Sequence, residues 1–280
     1  MWSNFHTHNR YCDGKGPIKD YLNEALRAGM KYIGFSSHAH IPFPCQWCMK
    51  RDALPDYLQE IESLKPGFPT LEIYKGLEID FIPGIIGPAD YSSGLDYTIG
   101  SIHFVDSFEG HHWEIDSTAE VFREGLAAIF ENNIRKAITR YYELTREMLS
   151  KSPPDVLGHL DKIKINSQDV FFEDSESWYR HEIEKTLKSI RQRNTVVEVN
   201  TRGLYRKLSA STYPSPWILE RIYELQIPIT LSSDAHHPED LTQEFGPTVA
   251  MLRNIGYRYL SVLNQGIWKE MPLDEYGTDR

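Results

Sequence analysis

Histidines and carboxylates recur along this 280-residue chain in short groups, each closing a stretch that reads as a β-strand. In order they are His6-Thr7-His8, Ser36-Ser37-His38, Gly76-Leu77-Glu78-Ile79-Asp80, Ser101-Ile102-His103, Gly158-His159, Glu198-Val199-Asn200 and Ser233-Asp234-Ala235-His236. Side chains two apart on a strand share a face, so His6 with His8, and Asp234 with His236, can each grip one site. Imidazole nitrogens with carboxylate oxygens and no thiolate suit Zn, Mn or Fe(II), leaving open positions for water and substrate. A lone histidine is usually a packed or surface residue. Seven strand ends that all carry His, Asp or Glu reverse that weighting and point to one shared metal centre.

The intervening sequence must bring these groups to one rim. Helical periodicity is expected over 17–30, 56–64, 118–149 (one helix or two), 176–193, 215–225 and 246–255. Strands are expected over 31–36, 71–81, 97–102, 156–160, 195–200 and 227–232. Pro17 and Ser215-Pro216 supply helix-opening chemistry, and Ser117 or Thr118 a cap. Repeated β-then-α implies a parallel sheet. The length favours closing that sheet as a TIM-like barrel, whose C-terminal strand ends gather on the face that carries active sites. No repeat, low-complexity tract or long linker divides the chain, so 1–280 reads as one domain.

Composition narrows the partners. Thirty Lys+Arg against 40 Asp+Glu give a formal net charge of −10, a poor match to a nucleic-acid backbone. No stretch approaches the roughly 20 apolar residues of a membrane span. The opening Met1-Trp2-Ser3-Asn4-Phe5 lacks signal-peptide features, and three cysteines, an odd number, suggest a reducing compartment. A cytoplasmic protein with neither nucleic-acid nor membrane partners is expected. Cys45-Gln46-Trp47-Cys48 has no second cysteine pair and is read as an ordinary loop. His111, His112 and His181 lack a strand-end context and are expected to be exposed.

The strand-end series as a whole resembles the polymerase and histidinol phosphatase (PHP) superfamily, over nearly the whole chain. The 76–80 run, Ser101-Ile102-His103-Phe104, Glu198-Val199-Asn200-Thr201 and Tyr213-Pro214-Ser215-Pro216-Trp217 are similar to its histidinol-phosphate phosphatases. That resemblance implies a single-domain distorted (β/α)7 TIM-like barrel holding three divalent ions, Zn first, with Mn or Fe as alternatives. One ion would take His6, His8, Glu78 and Asp234, and a second Glu78, His103 and His159, with Glu78 bridging. The third would take Asp13, His38 and His236. Asp13 is also plausible turn chemistry in Asp13-Gly14.

The activity implied is hydrolysis of a small phosphate monoester, L-histidinol phosphate, to L-histidinol and phosphate in histidine biosynthesis. Glu78, Asp234 and His236 would stand at the reacting centre. Phosphate calls for directional cationic donors. Arg202, then Arg206 and Lys207, follow the sixth strand and Lys162 and Lys164 the fifth, and some of these, Arg202 first, are expected to supply them. His40, two residues after His38, is expected to touch substrate. A PHP-type protein-tyrosine phosphatase or another small phosphoesterase is the runner-up. An amidohydrolase-type hydrolase also opens with His-x-His, but usually adds a carboxylated lysine where this chain has Glu78.

Overall fold

A computed structural model describes residues 1–91, 93–167 and 170–276. Seven parallel strands form one sheet in chain order: β1 (Trp2–Asn4), β2 (Met30–Phe35), β3 (Glu72–Asp80), β4 (Tyr97–Ser101), β5 (Val156–Leu157), β6 (Val196–Asn200) and β7 (Ile229–Ser232). Parallel neighbours need crossovers. The helical ones are α1 (Ile18–Arg27), α2 (Leu54–Leu64), the pair α3 (Ala119–Phe130) and α4 (Ile134–Lys151), α5 (Ser177–Arg193) and α6 (Pro216–Glu224), while α7 (Phe245–Ile255) follows β7. The first and last strands meet beyond their ends. Thr7 bridges Ala235 in parallel, with His8 N donating to Ala235 O at 2.8 Å and Ala235 N to His6 O at 3.1 Å. The sheet thereby curls into a distorted (β/α)7 barrel, nearly closed, and its closing bonds lie within the His-x-His and Asp-x-His motifs.

The interior is plugged by aromatic rings. Tyr97 donates to Phe5 O at 2.5 Å, and Phe5 packs on Trp268 with centroids 5.3 Å apart. A Cβ at Gly34 would stand 2.3 Å from the Tyr97 hydroxyl, and one at Gly76 2.4 Å from its Cζ. Glycine at these strand positions makes the room that Tyr97 fills. Apolar faces of α1 and α2 bury Ile18, Leu22, Tyr57 and Ile61 against β2 and β3, and α4 and α5 bury Tyr141, Tyr142, Ile183 and Leu187.

The 118–149 stretch is two helices. Glu131 and Asn132 take left-handed φ values of 54° and 60°, ending α3, and the Asn133 side chain caps α4 by accepting from Lys136 N. Thr118 caps α3. The strand expected over 156–160 stops at Leu157, because His159 N donates to the Glu198 carboxylate at 2.7 Å instead of to a strand neighbour. Two antiparallel hairpins were not anticipated: Phe104–Phe108 with His111–Glu114, and Tyr259–Asn264 with Ile267–Pro272. His111 is exposed as expected, but His112 stacks on Phe43 at 4.2 Å. The hairpin is anchored by the adjacent Trp113, which is buried.

Candidate metal centre

Glu78 stands at the middle of the rim. Its Oε2 faces His38 Nδ1 at 3.0 Å, His6 Nε2 at 3.1 Å and His8 Nε2 at 3.5 Å. Its Oε1 faces His159 Nε2 at 2.8 Å and His103 Nε2 at 3.6 Å, and accepts from Ser101 Oγ. One carboxylate thus meets histidines on both oxygens, as a group shared between neighbouring cations must. Asp234 Oδ1 lies 3.2 Å from His8 Nε2 and 3.4 Å from His236 Nδ1, and Asp13 Oδ2 lies 3.1 Å from His236 Nε2.

Four overlapping groups have ligand atoms within 4.8 Å of one another: His8, Asp13, His38 and His236; His6, His159 and Asp234; His6, His8 and Glu78; His38, Glu78 and His103. Together they contain all nine residues expected as ligands. The fit to divalent cations is direct. His6 Nε2, His8 Nε2, His38 Nδ1 and Asp13 Oδ1 are buried without a hydrogen-bond partner, and every donor is nitrogen or oxygen.

Electrostatics point the same way. Burial lowers His8 to about 4, helped by His236, and burial also holds His38 and His159 below the ordinary imidazole range. These rings are neutral at pH 7 and offer lone pairs. Burial pushes His6 down as well, but Glu198, Glu78 and Asp234 outweigh it and raise the ring well above its usual value. For His103, Asp80 and Asp116 likewise overcome burial and raise it to about 9. Burial opposes ionisation of Glu78 and Asp234, yet the surrounding cationic groups, His6 foremost, keep both carboxylates charged. Protons on His6 and His103 therefore stand in for cation charge, and metal loading would displace them.

Buried carboxylates aim the rings from behind. Glu198 Oε1 lies 2.5 Å from His6 Nδ1, and Oε2 accepts from His159 N and Asn200 Nδ2. Asp80 Oδ1 accepts from His103 N at 2.9 Å and faces its Nδ1 at 3.1 Å. Each ring is left with Nε2 toward Glu78. Asp234 takes a left-handed φ of 51°, and its carbonyl accepts from Arg202 Nη1 at 2.9 Å and from the Tyr205 hydroxyl. That turn is what brings Asp234 and His236 to the same site.

The expected phosphate donors divide. Lys162 and Arg202 line the pocket beside the cluster. Lys162 Nζ pairs with Asp116 at 3.0 Å and lies 3.4 Å from His103 Nε2. Arg202 Nη1 lies 2.6 Å from His236 Nδ1. Arg206, past the short turn Arg202–Tyr205, is exposed and does not line the pocket. Lys164 is buried against Asp161, Ser211, Thr212 and Ser215, holding the 211–215 loop. Lys162 and Lys164 lie in one 3-10 turn, where residues two apart point different ways. His40 lines a separate groove with Ile41, Phe43 and Tyr91.

Other pocket residues escaped the sequence reading. Trp47 packs edge-on to His38 at 4.4 Å and His103 at 5.4 Å, stacks on Phe104 at 5.6 Å, and donates to Glu114 Oε1 at 3.0 Å. Glu114, Asp116, Ile165, Leu208 and Tyr213 complete the wall. The alternation around Trp113 was the available signal for Glu114. The ordinary-loop reading of Cys45 and Cys48 is overturned, because the two are disulfide-bonded, with Cα atoms 5.5 Å apart. Trp47 lies inside the ring they close.

The PHP domain family model matches residues 4–202. This chain belongs to the PHP family. A probable histidinol-phosphatase of Deinococcus radiodurans is 29% identical to this PHP protein over 264 residues, covering 90% of this chain and 93% of the relative. The histidinol-phosphatase of Bacillus subtilis is 26% identical over 255 residues, covering 84% and 94%. Among solved structures, the histidinol phosphate phosphatase of Lactococcus lactis, crystallised with Zn, L-histidinol and phosphate, superposes with a TM-score of 0.74. Its identity is 19%, over 95% of this chain and 98% of that one, and the likeness bears on the fold.

Proposed function

We propose that this PHP protein is a metal-dependent phosphomonoesterase that hydrolyses L-histidinol phosphate to L-histidinol and phosphate in histidine biosynthesis. The observation that carries the reading is a nine-residue donor cluster at a pocket that is also lined by two cations, Lys162 and Arg202, and by Trp47 with Glu114. The family and the names of full-length relatives support it.

Three divalent ions, Zn first and Mn or Fe as alternatives, would be held by the sets named from the sequence: His6, His8, Glu78 and Asp234; Glu78, His103 and His159; Asp13, His38 and His236. Bound there, divalent ions neutralise phosphoryl charge and make water nucleophilic at neutral pH. The chain's own residues do the rest. Lys162 and Arg202 clamp the phosphoryl oxygens, and Lys162 is kept charged because Asp116 and nearby carboxylates outweigh its burial. Glu198 and Asp80 fix ring orientation before substrate arrives. Asp234 and His236 also line the pocket and would stand at the reacting centre.

Glu114 is the carboxylate, among the described residues lining the pocket, that neither joins the histidine cluster nor pairs with Lys or Arg. With Trp47 beside it, it suits the amine and imidazole of histidinol. The amidohydrolase alternative loses its characteristic lysine to Glu78. No described helix is long and apolar enough to cross a membrane, and a cytoplasmic location accompanies a biosynthetic phosphatase.

The test couples metal analysis to phosphate release from histidinol phosphate, a phosphotyrosine peptide and a nucleotide. Histidinol phosphate should lead in kcat/KM by about 10-fold or more, the scale of a partly exposed charge-assisted contact made by one substrate only. Equal rates across the panel would sink the assignment.

A further inference from the structure

We infer that Cys45 and Cys48 are positioning residues for substrate, and that the bond between them holds Trp47 against the pocket so that substrate affinity follows the thiol–disulfide state of the pair. The inference rests on the histidinol phosphate reading above.

The loop over 42–48 contains no helix or strand. Its hydrogen bonds among the described residues are few. Cys48 N donates to Cys45 Sγ at 3.1 Å, Met49 N returns the chain to His38 O at 3.1 Å, and the Trp47 indole reaches Glu114. Gln46 is exposed while Trp47, its neighbour, turns inward onto His38, His103 and Phe104. A ring of four residues restricts little of the unfolded chain, since loop-closure stabilisation grows with loop length. The bond's effect is therefore local: it fixes the turn that points Trp47 inward and, through the indole N–H, sets the rotamer of Glu114.

The chemistry is ordinary exchange with a small-molecule dithiol. One reductant thiolate attacks a protein sulfur, forming a mixed disulfide and releasing the other cysteine as a thiolate. The second reductant thiolate closes the reductant's own disulfide and frees the first cysteine, and the two protein thiolates take up protons. The protein gains two electrons and the reductant loses two. Without the bond the loop keeps its hydrogen bonds, its ring contacts and the packing of Phe43 and Trp47 on the core, but the turn at 45–48 is no longer closed and the wall at the amine end loosens. Lys162 and Arg202 are held by Asp116 and by the carbonyl of Asp234, not by this loop, so the phosphate end keeps its own supports.

The experiment uses the metal-loaded full chain before and after reduction by a small-molecule dithiol. Denatured samples should titrate one thiol (Cys12, which is free) before reduction and three after. KM for histidinol phosphate and the inhibition constant of L-histidinol should rise together by about fivefold to tenfold, with kcat and inhibition by inorganic phosphate within about twofold. Tryptophan emission should shift on reduction in the wild type and not in Trp47→Phe. The Cys45→Ser/Cys48→Ser double variant should match the reduced enzyme and ignore the dithiol, which separates the bond from any chelation of metal by the reductant. Three thiols before reduction, an unchanged KM, or an equal response from the double variant would each overturn the inference. Absence of turnover on histidinol phosphate in both states strikes the substrate assignment and the brace together; turnover with one KM in both states strikes the brace alone.

Discussion

At the strand ends, His6, His8 and Glu78 are fully buried and are held from behind by Glu198, Ser101 and the hydrogen bonds that close the barrel. Beside this cluster, Trp47 and Glu114 are half-buried and sit on a loop and a hairpin that the barrel does not require. The first region presents atoms whose positions the parallel sheet determines, as catalytic geometry needs. The second can be altered without disturbing the barrel, as selection among phosphate esters needs. On the proposed reading, chemistry and substrate choice fall to regions supported in different ways, and variants should separate them.

The largest effects belong to the strand ends. Glu78→Ala removes the carboxylate that meets five histidines, and His103→Ala removes a ring that Asp80 holds toward Glu78. Either should lower kcat by about 10³-fold or more and reduce metal content, measured by elemental analysis of the purified protein. Near wild-type turnover with full metal content would dissolve the distinction between the two regions.

Next comes the support behind the ligands. Glu198→Gln keeps the volume and the contacts to His159 N and Asn200 but weakens the hold on His6 Nδ1. A loss of about 10- to 100-fold in metal affinity is expected, with activity restored at high metal concentration. Failure to recover with added metal would give Glu198 a direct part in the reaction.

The same contrast explains how much was readable in advance. Every donor in the cluster lies within or just past a strand, or in the turn at Asp13, and parallel β/α alternation alone sends strand ends to one face. Trp47, Glu114 and Asp116 converge only through tertiary packing of a loop on a hairpin, which no local periodicity encodes. Arg206 and His40 show the converse error. Proximity in sequence to a rim residue does not bring a side chain into the pocket, because a helical turn or a loop redirects it.

Lys162–Asp116 joins the two regions. Burial raises the Asp116 carboxyl, but Lys162 and His103 overcome this and hold it at about 2, against an ordinary value of 3.8. A depressed carboxylate stabilises the fold fully above its unfolded value, and that contribution is lost as pH falls through the folded value. The window is therefore about pH 4 down to about 2, and the shift corresponds to about 2 kcal/mol. In the metal-free protein Asp116→Asn should lower stability by about this amount at pH 7, and the difference from wild type should shrink as acid is added. Chemical denaturation across that range measures it. A constant difference would mean that Asp116 acts by packing alone.

The smallest expected effect tests the wall itself. Glu114 accepts from the Trp47 indole through Oε1, so Glu114→Gln keeps an acceptor for that bond while removing the negative charge. If the carboxylate recognises the substrate's cationic end, KM for histidinol phosphate should rise by about threefold to tenfold at constant kcat, the range of a partly exposed charge-assisted bond. An ester of similar size that lacks the amine should show no such penalty. No loss on either ester would mean that Glu114 acts only by holding Trp47, because Gln keeps that acceptor. The selecting group would then be the indole face, and the contrast between a rigid catalytic rim and an adjustable recognition wall would rest on shape in place of charge.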